Sequence, residues 1–534
     1  MFRAGWSLPA KAIVILAICA VPPIMSIPTN CGIIALATGL ACLLPLTVPA
    51  APPGGRPNII FLMDDQHRCD AIGKIDPGVK TPTLDRLAAD GILFDQAVCQ
   101  APMCVPSRNS MMLGLYPHQI GVLSNAGGLT DDQLPCDPLP ELLRQAGYQT
   151  AGFGKTHWGC TNISTRGFEI RYSATDPELG AILMSRDNPQ GLQRYSEETK
   201  DYGDGEENIA GYLGRTSQVP EADHRDGWAL NKCLDFLDRG VDPHRPLFLY
   251  LSFLKPHAGL NVPPGFENRY RLDDMPVPEQ PALEKISPNH ATGTNREKMY
   301  ADFWSHATKQ QWQQMILRYR ANCSWTDDMF GRVLAKLRAK GLLKNCLIVY
   351  VADHGEMLGE RYYRFNKYCL YEHSVRVPLI LSGTAIPGDQ KGTWDHRPAE
   401  LVDVLPTILA AAKIPVPGTK PGENLLAPSQ RQAGFCQFSD QPENVSFMWR
   451  TSTRKLILTF PQSAIANGTV QMADVKAGEL YDLKTDAREW NNLYAQSDWQ
   501  DERNRLCREL LAHLNDGVLK PLPPANSLPK TAPH

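Results

Sequence analysis

No stretch of this 534-residue chain is dominated by charge of one sign. Its 54 basic residues face 57 acidic ones, and the formal net charge is −3. A protein that grips nucleic acid through phosphates needs a basic face or arm, and none is spelled out here. Low net charge combined with 43% hydrophobic residues also excludes disorder over the bulk of the chain. The 14 cysteines include no C-x-x-C pair and no zinc-type spacing, which argues against a thiolate-bound metal cluster. Internal repeats are absent too.

The first fifty residues differ in texture from the rest. Arg3 and Lys11 precede an apolar run from Ala12 to Met25, and a second run from Cys31 to Ala50 leads into Pro52-Pro53-Gly54-Gly55. A positive flank, an apolar stretch and a small-residue exit read as an export signal or an uncleaved membrane anchor with its linker, residues 1–55. Gly39-Leu40-Ala41 before Cys42 is a poor match to a lipid-attachment site. Either way the bulk of the protein is expected across a membrane, periplasmic, secreted or anchored facing outward. An exported chain can pair some of its cysteines, and the odd count of eleven beyond the leader leaves at least one out; Cys104 is the candidate.

From Arg56 the pattern alternates between strands and helices. Asn58–Met63, Ile92–Phe94, Gln149–Phe153, Leu247–Phe253, Cys346–Ala352 and Pro378–Leu381 are short apolar runs of the kind a parallel sheet buries on both faces. Helices are predicted over Thr83–Ala89, Pro140–Ala146, Trp228–Leu237, Gln310–Lys340 and Pro398–Ala411. Three of the apolar runs end in carboxylate- or histidine-bearing turns: Asp64-Asp65-Gln66-His67, Lys255-Pro256-His257 and Asp353-His354-Gly355-Glu356. Ligands of open α/β sheets bind at the carboxyl ends of strands, so these turns mark a candidate site. After about Pro415 short strands over Phe447–Phe460 and Gly478–Leu483 precede a helix over Asp501–Leu514, suggesting a smaller α+β subdomain over 416–516. Residues 517–534 are Pro-rich and expected to be a disordered tail.

Cys104-Val105-Pro106-Ser107-Arg108, followed by Gly114, resembles the C-x-P-S-R signature of the formylglycine-dependent sulfatases, members of the alkaline phosphatase superfamily. The resemblance spans Pro57 to Leu514, with all elements in the family's order. It implies an α/β fold: a large mixed, mostly parallel sheet sandwiched by helices, over 56–415. It also implies that a formylglycine-generating enzyme oxidises Cys104 to 3-oxoalanine, whose hydrate attacks the sulfur of a sulfate ester and later expels sulfate. Carried over residue by residue, the divalent-metal ligands are Asp65, Gln66, Cys104, Asp353 and His354. Calcium is the default ion for such an oxygen-rich set, and the imidazole also admits manganese or zinc.

The catalytic set implied is Cys104, Arg108, Lys155 and His157 in Gly154-Lys155-Thr156-His157-Trp158-Gly159, His257 as general acid, and Lys367 four residues before Tyr371-Glu372. Arg108 would bind the diol, and Lys155 and Lys367 would clamp sulfate oxygens. Asp64 stands where small residues are usual in the family and reads as a solvated turn carboxylate. His118, His373 and Arg376 read as structural. Leu113 departs from the Thr common before the Gly. The implied substrate is a sulfated glycan, with specificity expected from 161–226 and 259–308. The Asp-Gln and Asp-His pairs also resemble those of phosphonate monoester and phosphodiester hydrolases of the same superfamily, the alternative reading, and an unoxidised Cys104 would leave a silent sulfated-glycan binder.

Overall fold

The computed structural model describes residues 55–159, 164–173, 184–200, 212–281, 295–418, 420–439 and 443–525. The leader therefore lies outside the described residues, as do parts of both expected specificity segments. Eight strands form the main sheet: β1 (Asn58–Asp65), β2 (Gly91–Phe94), β3 (Gln149–Gly154), β4 (Ile170–Ser173), β5 (Leu247–Pro256), β6 (Cys346–Ala352), β7 (Leu379–Gly383) and β8 (Thr393–Asp395). Their spatial order is β8-β2-β7-β6-β1-β5-β3-β4. β7 runs antiparallel to β6 and β2, and every other pairing is parallel.

The near-continuous apolar runs follow from this topology. Along β1, Ile60 and Leu62 join one core with α1 (Pro82–Ala89), α4 (Arg225–Arg239) and α5 (Lys309–Ala339). Ile59, Phe61 and Met63 point the other way, into a core with α2 (Cys104–Leu113), α3 (Leu139–Gln145) and α6 (Val404–Ala411). Both faces are covered, so the period-2 alternation that would mark a half-exposed strand is absent. Each such side chain contributes about 1.5–3 kcal/mol by burial.

A second, antiparallel sheet is built from β9 (Gly434–Phe438), β10 (Asn444–Arg450), β11 (Arg454–Pro461) and β12 (Ala477–Asp482), with α7 (Gln500–His513) against it. Buried ion pairs join it to the catalytic half. Glu372 receives Arg450 at 2.8 Å and Lys455 at 2.7 Å, and Lys455 also meets Glu489 at 2.8 Å.

Three expectations are corrected, and one segment without an expected element is helical. Cys104–Leu113, to which the hydrophobic pattern assigns no element, is a fully buried helix. Pro398 to Asp403 is not α-helical: Ala399–Glu400 pairs with Ala97–Val98, a 3-10 turn follows, and the helix starts at Val404. Residues 517–525 are docked, because Val518 and Leu519 are buried and Leu522 and Ala525 donate N–H to Gln119 and Leu134. Finally, all ten described cysteines beyond the leader are free; Cys160 lies outside the described residues.

Candidate active site

The C-x-P-S-R segment works as one helical turn. Cys104 is the first residue of α2, Pro106 sits in the first turn where its missing N–H costs nothing, and Arg108 follows Cys104 by four residues on the same face. Ser107 Oγ donates to the Asp353 carbonyl at 2.6 Å, tying this turn to the end of β6. The thiol therefore sits at a helix N-terminus, where backbone N–H groups favour negative charge.

β1 and β6 lie side by side, and their ends supply the carboxylates. Asp65, Cys104, Asp353 and His354 each place one ligand atom within 4.8 Å of all the others, and all four are buried. His354 Nε2 lies 3.2 Å from Cys104 Sγ, and Asp65 Oδ1 lies 3.8 Å away. Nδ1 of His354 donates to the Gly355 carbonyl at 3.0 Å, which leaves the Nε2 lone pair facing the centre. Gln66 adopts φ 64° and turns its side chain inward: Nε2 donates to Glu356, and Oε1 accepts from Lys367 Nζ at 2.8 Å.

Three cations, Lys155, Lys367 and Arg108, surround this cluster. Lys155 Nζ is 2.5 Å from Asp65 Oδ2 and 3.5 Å from the thiol. Lys367 Nζ is 3.2 Å from the thiol and 3.0 Å from His257 Nε2. Gly154 makes the Lys155 placement possible: its φ is +88°, and a Cβ there would lie 2.0 Å from the Ser252 carbonyl. Burial and Asp65 push the Cys104 thiol up, but Lys155, Lys367 and His354 outweigh them and hold it well below the usual thiol range. Burial likewise opposes ionisation of Asp65, yet Lys155, His257, Arg108 and Lys367 keep it well below the usual carboxylate range. Asp353 is pushed up to about 6 by burial, against Arg108. A buried acid beside an aimed imidazole lone pair fits a divalent cation held by Asp65, Asp353, His354 and the group at Cys104, while Gln66 Oε1 is turned to Lys367.

Every carried-over residue reaches this cluster, and two take positions that differ from those expected. Arg108 spends its guanidinium on Asp353 (2.7 Å), Asp65 (2.9 Å), the Lys155 carbonyl (3.0 Å), Ser252 (3.0 Å) and Tyr250 (3.2 Å). It orders the two carboxylates rather than facing the thiol. Burial and Lys367 hold the His257 imidazole well below its ordinary range. With Nδ1 on the Ala258 carbonyl at 3.2 Å, Nε2 accepts from Lys367, so the resting ring is neutral. His157, at φ 49°, hydrogen-bonds the thiol.

Asp64 is not solvated. It is fully buried and accepts from His67 Nδ1 (2.8 Å), Thr326 Oγ1 (3.1 Å) and Tyr350 OH (3.1 Å) on the opposite side of β1 from Asp65. Leu113 packs in a small core with Val105, Leu115 and Ile120.

Three supporting residues escaped sequence reasoning. Glu356 accepts from Gln66, Tyr212 (3.1 Å) and Asn366 N (2.5 Å), and so aims the Gln66 carbonyl. Its signal was its place in Asp353-His354-Gly355-Glu356. Tyr319 OH donates to the Gln66 main-chain carbonyl at 2.8 Å, and Asp226 receives the Leu254 and Lys255 N–H groups, holding the turn that carries His257. Neither has a local sequence signal.

Known proteins are similar to this chain in sequence and in fold. The family model described as Sulfatase matches residues 57–414. An arylsulfatase of Clostridium perfringens is 29% identical over 383 residues, covering 69% of this chain and 78% of that protein. An N-acetylglucosamine-6-O-sulfatase of Bacteroides thetaiotaomicron is 26% identical over 524 residues, covering 85% and 86%. Among solved structures, a phosphonate monoester hydrolase of Agrobacterium radiobacter superposes with a TM-score of 0.70 at 22% identity, covering 87% of this chain and 96% of that one. A protein solved with its substrate D-glucosamine-2-N,6-O-disulfate gives 0.66 at 22%, covering 88% and 99%. With a matching model over 57–414 and sulfatase relatives along most of its length, the chain belongs to the sulfatase family of the alkaline phosphatase superfamily.

Proposed function

We propose that this sulfatase hydrolyses sulfate esters of a carbohydrate, using formylglycine made from Cys104 and a divalent cation, calcium by default. The observation that carries the reading is the convergence of Asp65, Cys104, Asp353 and His354 on one point, with Lys155 and Lys367 at 3.5 and 3.2 Å from the thiol. A sugar substrate is supported by the N-acetylglucosamine-6-O-sulfatase of Bacteroides thetaiotaomicron and by an ulvan-active sulfatase of Formosa agariphila, 28% identical over 380 residues.

When present, the cation and the hydrated aldehyde together supply a polarised sulfate oxygen and a nucleophilic oxygen at the head of α2. The chain's own residues do the rest. Lys155 and Lys367, both buried beside Cys104, place two positive charges where negative charge develops on sulfate oxygens. Arg108 fixes Asp65 and Asp353 relative to each other. His157 accepts a proton at the former thiol position. His257, neutral at rest, takes a proton from solvent at Nε2 as the ester binds and passes it to the departing sugar oxygen, while Lys367 keeps its charge. The apolar runs behind Arg3 and Lys11 support action outside the membrane that the leader reaches.

The test is turnover of 4-nitrophenyl sulfate, compared with 4-nitrophenyl phenylphosphonate and bis-nitrophenyl phosphate, after coexpression with a formylglycine-generating enzyme. Preference for sulfate supports the reading. Preference for phosphonate or phosphodiester would transfer the chain to the hydrolases it resembles in fold. A Cys104 peptide that stays an unmodified thiol, with no turnover, would make it a silent binder.

A further inference from the structure

A thiol and an amine meet at the far end of α2, away from the catalytic centre. Of the ten described cysteines, nine are buried, and Cys136 alone is half-buried. Thiol oxidation follows exposure, so an oxidant in solution reaches Cys136 first. Lys420 Nζ lies 2.9 Å from Cys136 Sγ and donates to the Leu113 carbonyl at 3.0 Å. That nitrogen–sulfur separation is the length of an N–H···O hydrogen bond, although sulfur is a larger atom than oxygen. Neither of the two partners of Lys420 is a carboxylate.

The fold holds both groups still. Leu113 is the last residue of α2, and its carbonyl is one of those a helix end leaves without an intrahelical donor. The negative end of the helix dipole favours an ammonium there. Cys136 packs on the small core of Val105, Leu113, Leu115 and Ile120, and its thiol points to the same carbonyl at 3.7 Å. Lys420 arrives from the segment after α6, 284 residues away in sequence. Two reactive groups distant along the chain thus converge on one acceptor.

We propose that Cys136 and Lys420 are the site of an oxidative cross-link in which one oxygen atom joins sulfur to nitrogen. The ammonium first gives a proton to solvent. Dioxygen then supplies the bridging atom: the S–H bond and one N–H bond break, and S–O and O–N bonds form. The second oxygen atom leaves as water with both hydrogens. Sulfur and nitrogen each give up two electrons, and dioxygen takes all four. Two equivalents of hydrogen peroxide do the same, releasing three waters. A bridge through one oxygen spans two covalent bonds, close to the separation already present. A direct S–N bond spans one and would draw Nζ off the Leu113 carbonyl, whereas the N–H kept in the bridge still donates to it. The product staples the end of α2, the helix that begins with Cys104, to the chain beyond α6.

The experiment exposes the full chain to hydrogen peroxide, digests it without reductant and maps it by mass spectrometry. The expected product joins the Cys136 and Lys420 peptides and outweighs their sum by one oxygen less two hydrogens. Dithiothreitol returns the parent peptides. Closing a loop of this length raises the melting temperature of the oxidised protein by up to about 5 °C over the reduced one. Both the cross-link and the shift vanish in Cys136→Ser and in Lys420→Arg, which keeps a donor for Leu113. A joined pair lighter than the sum by two hydrogens would reveal a direct S–N bond and overturn the bridge. Recovery of Cys136 as a thiol, or as sulfinic or sulfonic acid beside unmodified Lys420, overturns the site.

Discussion

Asp64 offers the sharpest test of how β1 is registered against the site. It precedes Asp65, yet its side chain faces the opposite way, into α5, where it receives His67, Thr326 and Tyr350. His67 Nε2 lies 2.8 Å from the Ala71 carbonyl, an acceptor only, so Nε2 carries a proton. Nδ1 faces a carboxylate and carries one too, which makes the pair a buried ion pair. Burial opposes the imidazolium, but Asp64 outweighs it and raises His67 well above its ordinary value.

Asp64→Ala removes one partner of that pair and strands two buried hydroxyl donors, a loss of about 3–5 kcal/mol. For a folded chain of this size, with an unfolding entropy of about 1 kcal/mol/K, that is a fall in melting temperature of about 3–5 °C. Asp64→Asn keeps the acceptor and costs less. Because the folded pKa of His67 is raised, its contribution is complete below about pH 6.5 and is lost as pH rises toward the folded value. The stability gap between wild type and Asp64→Asn therefore narrows as pH rises above neutrality. Differential scanning calorimetry across this pH range reads it directly. Turnover by folded Asp64→Asn at saturating metal should remain within about fivefold of wild type, whereas Asp65→Asn should lose nearly all of it. An Asp64→Asn enzyme as dead as Asp65→Asn would refute the register, and a pH-independent gap would refute the ion pair.

Cys104→Ala and Lys367→Ala should each lower kcat by at least about a thousandfold, read with 4-nitrophenyl sulfate; retention of either activity removes that residue from the mechanism. Stripping divalent ions with EDTA should lower the melting temperature as well as turnover, by the equivalent of about 2.7 kcal/mol if the ion had been at a hundredfold excess over its dissociation constant. Readdition of calcium, manganese and zinc then ranks the ions. His257→Asn should slow a sugar sulfate by about 10²–10⁴ while sparing 4-nitrophenyl sulfate, whose leaving group needs no proton; equal losses on both would deny His257 the role of proton carrier.

Local chemistry was legible in the sequence wherever one short segment carries the whole function. The C-x-P-S-R segment names Cys104 and Arg108 together, Lys155 and His157 share one short motif, and the strands betray themselves by unbroken apolar runs. The helical form of Cys104–Leu113 was not legible, since a helix buried on all sides has no amphipathic period to detect. Nor was the docking of residues 517–525: composition predicts disorder, while a few apolar contacts and two backbone hydrogen bonds hold the segment. By itself, then, the sequence determined which residues are available for metal, anion and proton, and the strand ends that present them. Only the tertiary structure decided that Asp64 turns inward to His67, that Arg108 serves the carboxylates, and that Lys367 quenches His257. Those choices rest on partners distant in sequence (Thr326 and Tyr350 for Asp64, Asp353 for Arg108, His257 for Lys367) or on the opposite face of a strand, and pairwise electrostatics at that separation is a property of the fold.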